Sequence, residues 1–336
     1  MELCLYHPEH GYYERPDLPI GRKGDFYTSV SVGSVFGELL SWQFLSWMRA
    51  ELKPPYQILE AGAHDGQLAD DILTSLASLE PDFLDHLEYI ILEPSAGRQA
   101  RQTQTLAKHE KNVRWIKDWN EAPEDGVNGV IFSNELLDAM PVDQVGWDAE
   151  TSHWFEWRVA LDGDRFARVR GPVVEPSDLP PLVQPFRPDD DAFTLEVRNE
   201  SFRWWRAAAK ALHAGCLLTL DYGLEFEEYT APDRKHGTLR AYRDHQLVTD
   251  IFDSPGEQDL TAHIDLTELR SIGVHAGLNT DPPLSQGRWL NRMLARMQQE
   301  STPFPEWTSK RLRQFQTLSH PDHLGEKFRV LCQRKP

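Results

Sequence analysis

Three places in this chain put carboxylates, amides and glycines where chemistry is done. The first is Tyr56-Gln-Ile-Leu-Glu-Ala-Gly-Ala-His-Asp-Gly66, an apolar run ending in Glu60 that turns through Gly62, Ala63 and Gly66 into Gln67-Leu-Ala-Asp-Asp-Ile-Leu73. Strand, tight turn and helix in that order open a nucleoside-binding α/β domain, because turn glycines let the backbone approach a ligand. The second is Glu93, which closes the next apolar run and is placed to accept both hydroxyls of a ribose. The third is Asn134-Glu-Leu-Leu-Asp-Ala-Met-Pro141. Asn134 and Glu135 directly follow an apolar strand, Asp138 comes one helical turn later, and Pro141 limits continuation. In a purely structural role Asn134 would cap that helix and Asp138 would be exposed.

The charge of the first turn narrows the ligand. A dinucleotide fold wants Gly-x-Gly-x-x-Gly with a helix N-terminus facing a pyrophosphate, whereas here His64 and Asp65 lie between the two glycines. A carboxylate there repels pyrophosphate. S-adenosylmethionine carries a sulfonium cation and no phosphate, so a lining that includes Glu60 and Asp65 suits it better than NAD. His263, in Leu260-Thr-Ala-His-Ile-Asp265, is a minor candidate for a base, and Trp204-Trp205 reads as packing.

These residues need a parallel sheet to bring them together, and the pattern supplies one. Apolar runs at 58–61, 87–93, 113–116, 129–134 and 216–223 alternate with helical segments, including one at 201–212, as in an α/β fold. In such a sheet the ligand lies beyond the carboxyl ends of the strands, where Glu60, Glu93, Asn134 and Asp221 fall. Ahead of it, Leu39, Leu40, Gln43, Phe44 and Trp47 mark a helix over 35–50 that Pro54-Pro55 ends. Residues 1–30, rich in Gly, Pro and Tyr, read as a structured arm. An antiparallel insertion is expected from 145 to about 170, followed by a Pro- and Asp-rich loop over 172–191, and a second insertion or lid over 224–286. Helical texture returns at 289–299, and the strand-like end at 325–332 could pair antiparallel on the sheet. The resulting division is an arm and helix over 1–54 and a core over 55–336 with insertions at about 145–192 and 224–286.

Composition excludes several classes. Thirty-five Lys and Arg against 53 Asp and Glu leave a net charge of −18, which disfavours nucleic acid and anionic lipid as partners. Three scattered cysteines form neither a disulfide framework nor a metal cluster and fit a reducing compartment. No run approaches the ~20 apolar residues that span a bilayer. With an N-terminus unlike a signal peptide, the expectation is a soluble cytoplasmic protein without a metal.

The arm Leu5-Tyr-His-Pro-Glu-His-Gly-Tyr-Tyr13, then Gly24-Asp-Phe-Tyr-Thr-Ser29 and Val35-Phe-Gly-Glu-Leu39, resemble the opening of the MidA family of S-adenosylmethionine-dependent methyltransferases. The resemblance continues through Leu92-Glu-Pro-Ser95, Ser133-Asn-Glu-Leu-Leu-Asp-Ala-Met-Pro-Val142, Leu220-Asp-Tyr-Gly223, Gly237-Thr-Leu-Arg-Ala-Tyr-Arg-Asp-His245, Pro255-Gly-Glu-Gln-Asp-Leu-Thr-Ala-His-Ile-Asp265 and His320-Pro-Asp-His-Leu-Gly-Glu-Lys-Phe-Arg-Val-Leu331. It implies a Rossmann-like, seven-stranded class I methyltransferase core with an N-terminal helical arm and insertions. It also implies S-adenosyl-L-methionine as cofactor, held by Glu60, Gly62, Ala63, Gly66, Glu93 and Asn134. Mitochondrial members of that family are protein arginine methyltransferases, so a protein substrate is implied. Glu135 and Asp138 are then the candidates to hold a guanidinium, with Asp25 of the arm a third. The chain departs from the family's Gly-Pro-Gly-Arg-Gly-Thr turn at His64 and Asp65. Two other readings stay open: a small-molecule methyltransferase, and an assembly or binding protein on the same fold without turnover.

Overall fold

A computed structural model of the chain describes residues 1–15, 28–243, 246–300 and 304–336. Asp25 and most of the turn around it lie outside these residues. After a short helix α1 (Glu2–Tyr6), the long helix α2 (Val35–Glu51) leads into strand β1 (Tyr56–Ala61). Helices α3 (Gln67–Leu79) and α4 (Ala96–Thr105) then alternate with β2 (Leu87–Leu92), β3 (Val113–Ile116) and β4 (Val127–Asn134). Strand β1 pairs parallel with both β2 and β4, since strands buried on both faces carry the near-continuous apolar runs that parallel pairing needs.

The first insertion is an antiparallel sheet of β5 (Asp143–Asp148), β6 (His153–Asp162), β7 (Arg165–Val173) and β8 (Thr194–Val197), in the order β7-β6-β5-β8. It is wider than the 145–192 expected, because β8 closes it on β5. Helix α5 (Asn199–Ala211) returns the chain to β9 (Leu212–Asp221), parallel to β4. After β10 (Gly223–Leu224) and α6 (Phe226–Tyr229), strands β11 (Arg240–Arg243), β12 (Gln246–Val248) and β13 (Asp259–Thr261) make a small antiparallel sheet.

The second insertion ends sooner than expected. Strand β14 (Ile264–Asp265) pairs with β10, and α7 (Leu266–His275) buries Leu266, Leu269 and Ile272 on the main sheet with Trp205 and Leu331. Polar composition over 224–286 hid this helix, since only one of its faces is apolar. Two short pieces, β15 (Asn279–Thr280) and β16 (Leu284–Ser285), flank the last strand, β17 (Arg329–Lys335), which runs antiparallel to β9. The main sheet therefore runs β3-β2-β1-β4-β9-β17-β15, with β16 also on β17.

Helices α2 and α3, with α8 (Gln286–Glu300) and α9 (Ser309–Ser319), cover one face, while α5 and α7 cover the other. Helix α2 is part of this core rather than of a separate arm. Phe36, Leu39, Leu40, Phe44 and Met48 are each fully buried, at roughly 1.5–3 kcal/mol apiece. The arm proper buries much less, through Leu5 and Tyr12 against Ala241 and Leu260 of the second insertion.

Candidate active site

The turn after β1 is shaped by backbone that only a few residues tolerate. Gly62 and Gly66 have φ of 77° and 87°, and His64 between them is also left-handed at 50°. Gly66 donates to the Ala63 carbonyl at 2.7 Å, and the His64 carbonyl accepts from Gln102 Nε2 at 3.0 Å. Asp65 Oδ1 accepts from the Gln67 amide at 3.1 Å, at the first turn of α3. Burial would raise the Asp65 carboxyl, but the His64 ring and the Gln67 amide outweigh it and hold it below its ordinary range. The end of α3 thus carries its own anion, and a pyrophosphate there would meet a charge of the same sign.

Glu60 is 2% exposed, and its Oε2 accepts from the Tyr89 hydroxyl at 2.6 Å. Burial lifts its pKa to about 7 against that hydrogen bond. Glu93 is also buried, and three donors already meet it: the Ser95 amide at 2.9 Å, Arg98 Nε at 2.9 Å and Gln102 Nε2 at 3.2 Å. A carboxylate offers about four acceptor positions, so in this geometry Glu93 has room for one ribose hydroxyl rather than the two expected. Sequence reasoning could not see Arg98 and Gln102, because their places on α4 become neighbours of Glu93 only in the fold.

Beyond β4 the expected helix is absent. Glu135 adopts φ 53°, and only a 3-10 turn, Leu137–Ala139, follows. Asp221, at the end of β9, explains this: Oδ2 accepts from the amides of Leu136 at 3.2 Å, Leu137 at 2.8 Å and Asp138 at 3.4 Å, while Oδ1 accepts from Tyr222 at 2.8 Å. A side-chain carboxylate takes the donors that a helix would have left free at its start. Asp138 is buried, not exposed, and lies against Asp221. Burial first, then the charges of Asp221, Asp259 and Glu135, push its pKa well up, whereas burial raises Asp221 only to about 6 because amides oppose it. Burial and the neighbouring carboxylates thus favour the protonated form of Asp138 over that of Asp221.

Asn134 does not cap a helix; its Nδ2 donates to Glu135 Oε1 at 3.0 Å, and the Ser29 amide reaches the same oxygen at 3.1 Å. Ser29 in turn donates through Oγ to Gln286 Oε1 at 3.1 Å. Asn134 Oδ1 is buried with no partner among the described residues. Burial pushes Glu135 up to about 8, opposed by the Ser29 and Asn134 hydrogen bonds.

The arm spans this whole edge. Glu14 accepts from Arg98 Nη1 at 2.7 Å and from Ser95 Oγ at 2.9 Å, so it sits beside Glu93. Tyr6 donates to the Ala139 carbonyl at 2.9 Å, and Tyr13 donates to both oxygens of Asp259 at 2.8 and 2.9 Å. Tyr6 and Tyr13 fall inside the arm block that carried the family resemblance, and Glu14 follows it directly, yet nothing in their spacing assigned them a role. Burial, aided by Arg198, lowers the His263 pKa to about 4 and so makes it a weaker base than an ordinary imidazole, and Nδ1 has no partner among the described residues. Trp204 and Trp205 pack in the core as expected, with Trp205 donating to Gln333 at 2.8 Å. Among the described residues no three His, Cys, Asp or Glu side chains are arranged to hold a metal ion.

The residues present fit S-adenosylmethionine. Two left-handed glycines open the approach after β1, a buried carboxylate ends β2, and the unpartnered Oδ1 of Asn134 offers an acceptor at the end of β4. Glu93, Gly62, Ala63, Gly66 and Asn134 would hold it, with Glu60 beneath the turn.

The comparisons agree with this reading. A family model described as an S-adenosyl-L-methionine-dependent methyltransferase, Methyltransf_28, matches residues 39–284. The chain is 28% identical to the protein arginine methyltransferase NDUFAF7 homolog of Drosophila melanogaster, over 99% of this chain and 79% of that protein. It is 27% identical to human NDUFAF7, over 98% of this chain and 77% of that protein. Both relatives are named as mitochondrial, whereas cytoplasmic is what the sequence led one to expect; no helix among the described residues is long and apolar enough to cross a membrane. A superfamily member from Burkholderia thailandensis, solved bound to S-adenosyl-homocysteine, superposes with a TM-score of 0.83 at 28% identity, over 99% of this chain and 86% of that one. With strand order, glycine turn and family model in agreement, the chain belongs to this family of S-adenosyl-L-methionine-dependent methyltransferases.

Proposed function

We propose that the chain methylates an arginine side chain of a protein substrate, with Glu135 as the catalytic carboxylate. The observation that carries this reading is the division of labour within Glu135. Its Oε1 is fixed by Ser29 and Asn134, while Oε2 has no partner among the described residues. Left-handed backbone at a non-glycine costs on the order of 1–3 kcal/mol and is typical of functional sites. The names of the relatives, protein arginine methyltransferases, point the same way.

Bound S-adenosylmethionine supplies an electrophilic methyl group, whose bond to sulfur breaks as the bond to nitrogen forms. An arginine arrives protonated, since its pKa exceeds ~12. Glu135, poised near 8 by burial, ionises beside that cation and accepts two of its N–H groups or one, aligning the remaining nitrogen. On transfer the nitrogen loses a proton, and Glu135, ionised and held against it, is placed to take it. Asp221 acts through the backbone: its Oδ2 holds the amides of Leu136–Asp138 and so fixes the turn that aims Glu135. Asp138 feels the charge of Asp259, to which Tyr13 donates, and Tyr222 feels the charge of Glu135.

The test is incubation of the protein with labelled S-adenosylmethionine and a protein extract, followed by amino-acid analysis. Label in methylarginine is expected; label confined to small molecules or other side chains refutes the reading. Glu135→Gln is expected to slow transfer about 100- to 1000-fold while calorimetric cofactor binding persists.

A further inference from the structure

Between the two insertions runs a groove of about 270 Å³ that the chemistry above does not use. Gln144 and Arg168 line it from the first insertion, and His236, Leu239, Thr249, Asp250, Ile251 and Phe252 from the second, with Asp250 Oδ1 turned to accept from the Phe252 amide at 2.9 Å. Arg168 is its notable member. The guanidinium stacks on Trp157, 4.4 Å from the ring centroid, and Nη1 donates to Gln144 Oε1 at 3.1 Å. Stacking and hydrogen bond hold the fork in place, yet no carboxylate pairs with it among the described residues. Its neighbours on the same hairpin are paired: Arg158 with Glu156, and Arg170 with Asp148 and Asp191. The carboxylate whose charge Arg168 feels, Glu196, is committed to Arg198 and to Thr238.

The surface beside Arg168 is apolar. In the β6–β7 register Val159 faces Arg168 and Leu161 faces Phe166, so all four side chains share one face of the sheet. Val159, Leu161 and Phe166 are 59%, 70% and 45% exposed. Both walls of the groove are continuous with the acid cluster. Strand β5 begins at Asp143, shortly after Asp138, and the small sheet that precedes and follows Ile251 carries Asp259 and, next to β13, the Ala262 amide that donates to the Asp138 carbonyl at 2.9 Å.

Resting on the protein-arginine reading, we propose that this groove docks an extended segment of the protein substrate, placing a glutamate or aspartate of that segment on the Arg168 guanidinium and apolar neighbours on Val159, Leu161 and Phe166. Charge complementarity selects this occupant. A planar guanidinium fork with unfilled N–H donors matches a carboxylate. A second copy pairing through the edge strand β7 would instead bring Arg165, Arg168 and Arg170 close to their own equivalents. The enzyme's net charge draws basic segments in general, whereas one anchored carboxylate at a set distance from the target arginine fixes the register.

Fluorescence anisotropy with synthetic peptides tests this. Each peptide carries one arginine, a spacer varied residue by residue, and either Glu-Leu-Phe or Gln-Leu-Phe. At one or a few spacings the glutamate peptide is expected to bind wild-type protein about tenfold more tightly than its glutamine twin, as a charge-assisted hydrogen bond allows. Arg168→Gln should erase the preference, Arg168→Lys should keep part of it, and Phe166→Ser should weaken both peptides alike, with melting temperatures of the variants confirming that they fold. A preference that survives in Arg168→Gln, or none in wild type at any spacing, overturns the proposal. Incubation of the same arginine-bearing peptides with labelled S-adenosylmethionine separates the two readings. An Arg168-dependent preference without any methyl transfer supports the groove and counts against arginine as acceptor alone.

Discussion

Glu60→Gln distinguishes a carboxylate that burial penalises from one that meets a cationic ligand. Glu60 is 2% exposed with the Tyr89 hydroxyl on Oε2, and its pKa rises from 4.5 to about 7 because burial disfavours its charge. The sign follows from linkage. A folded-state value above the unfolded one gives a contribution to stability that is complete below about pH 4.5 and is lost as the pH climbs through 7. At about 1.4 kcal/mol per pH unit, that interval amounts to about 3 kcal/mol. Glutamine accepts the same hydroxyl proton and has no charge to bury, so the variant escapes the loss. Unfolding entropy of about 2.1 cal/mol/K per residue over 336 residues converts 3 kcal/mol into about 4 °C. Scanning calorimetry should therefore show Glu60→Gln level with wild type near about pH 5 and about 4 °C more stable near about pH 8.5. A difference that does not change with pH, or a variant less stable at alkaline pH, refutes the reasoning. Titration with S-adenosylmethionine adds a second readout: a tenfold loss of affinity in the variant would show that Glu60 also meets the cofactor's cation.

Two further outcomes probe the arm. Arg98→Ala strips the guanidinium from buried Glu93 and from Glu14 together, so a loss of about 3–5 kcal/mol is expected, visible as a lower melting temperature. Arg98→Lys should restore little, since a point charge does not span two carboxylates as a fork does. Gly256→Val places a Cβ within 2.3 Å of the His10 carbonyl at φ +85°. It should undock the arm, so that limited proteolysis cuts within the first 30 residues while the melting temperature of the core changes little and methyl transfer is lost.

The core was legible because its signal is local. Strands β1, β2 and β4 are apolar along their length since both faces are covered, and α2 shows its buried face at helical spacing. The polar residues that end those strands stand where a doubly wound sheet puts its ligand, so Glu60, Glu93, Asn134 and Asp221 could be picked out by position. The turn at Gly62 and Gly66 was legible for the same reason, because a reversal that tight selects glycine. Asn134–Pro141 was misread. Polar residues at that spacing suit an α-helix and a 3-10 turn equally, and the deciding donors are taken by Asp221, some 85 residues away in sequence. Helix α7 was lost inside a polar stretch for want of a second apolar face.

Sequence alone thus determined the sheet, the glycine turn, the acidic character that excludes pyrophosphate, and the set of strand-end residues, each a consequence of local pattern or of side-chain type. Only the tertiary structure decided what those residues are. It seated Arg98 and Gln102 on Glu93, buried Asp138 against Asp221, and fixed Glu135 Oε1 with Ser29 and Asn134. It also carried Tyr13 to Asp259 across 246 residues of chain. Charge state and hydrogen-bonding capacity depend on burial and on neighbours, and neighbours at such separations exist only after folding.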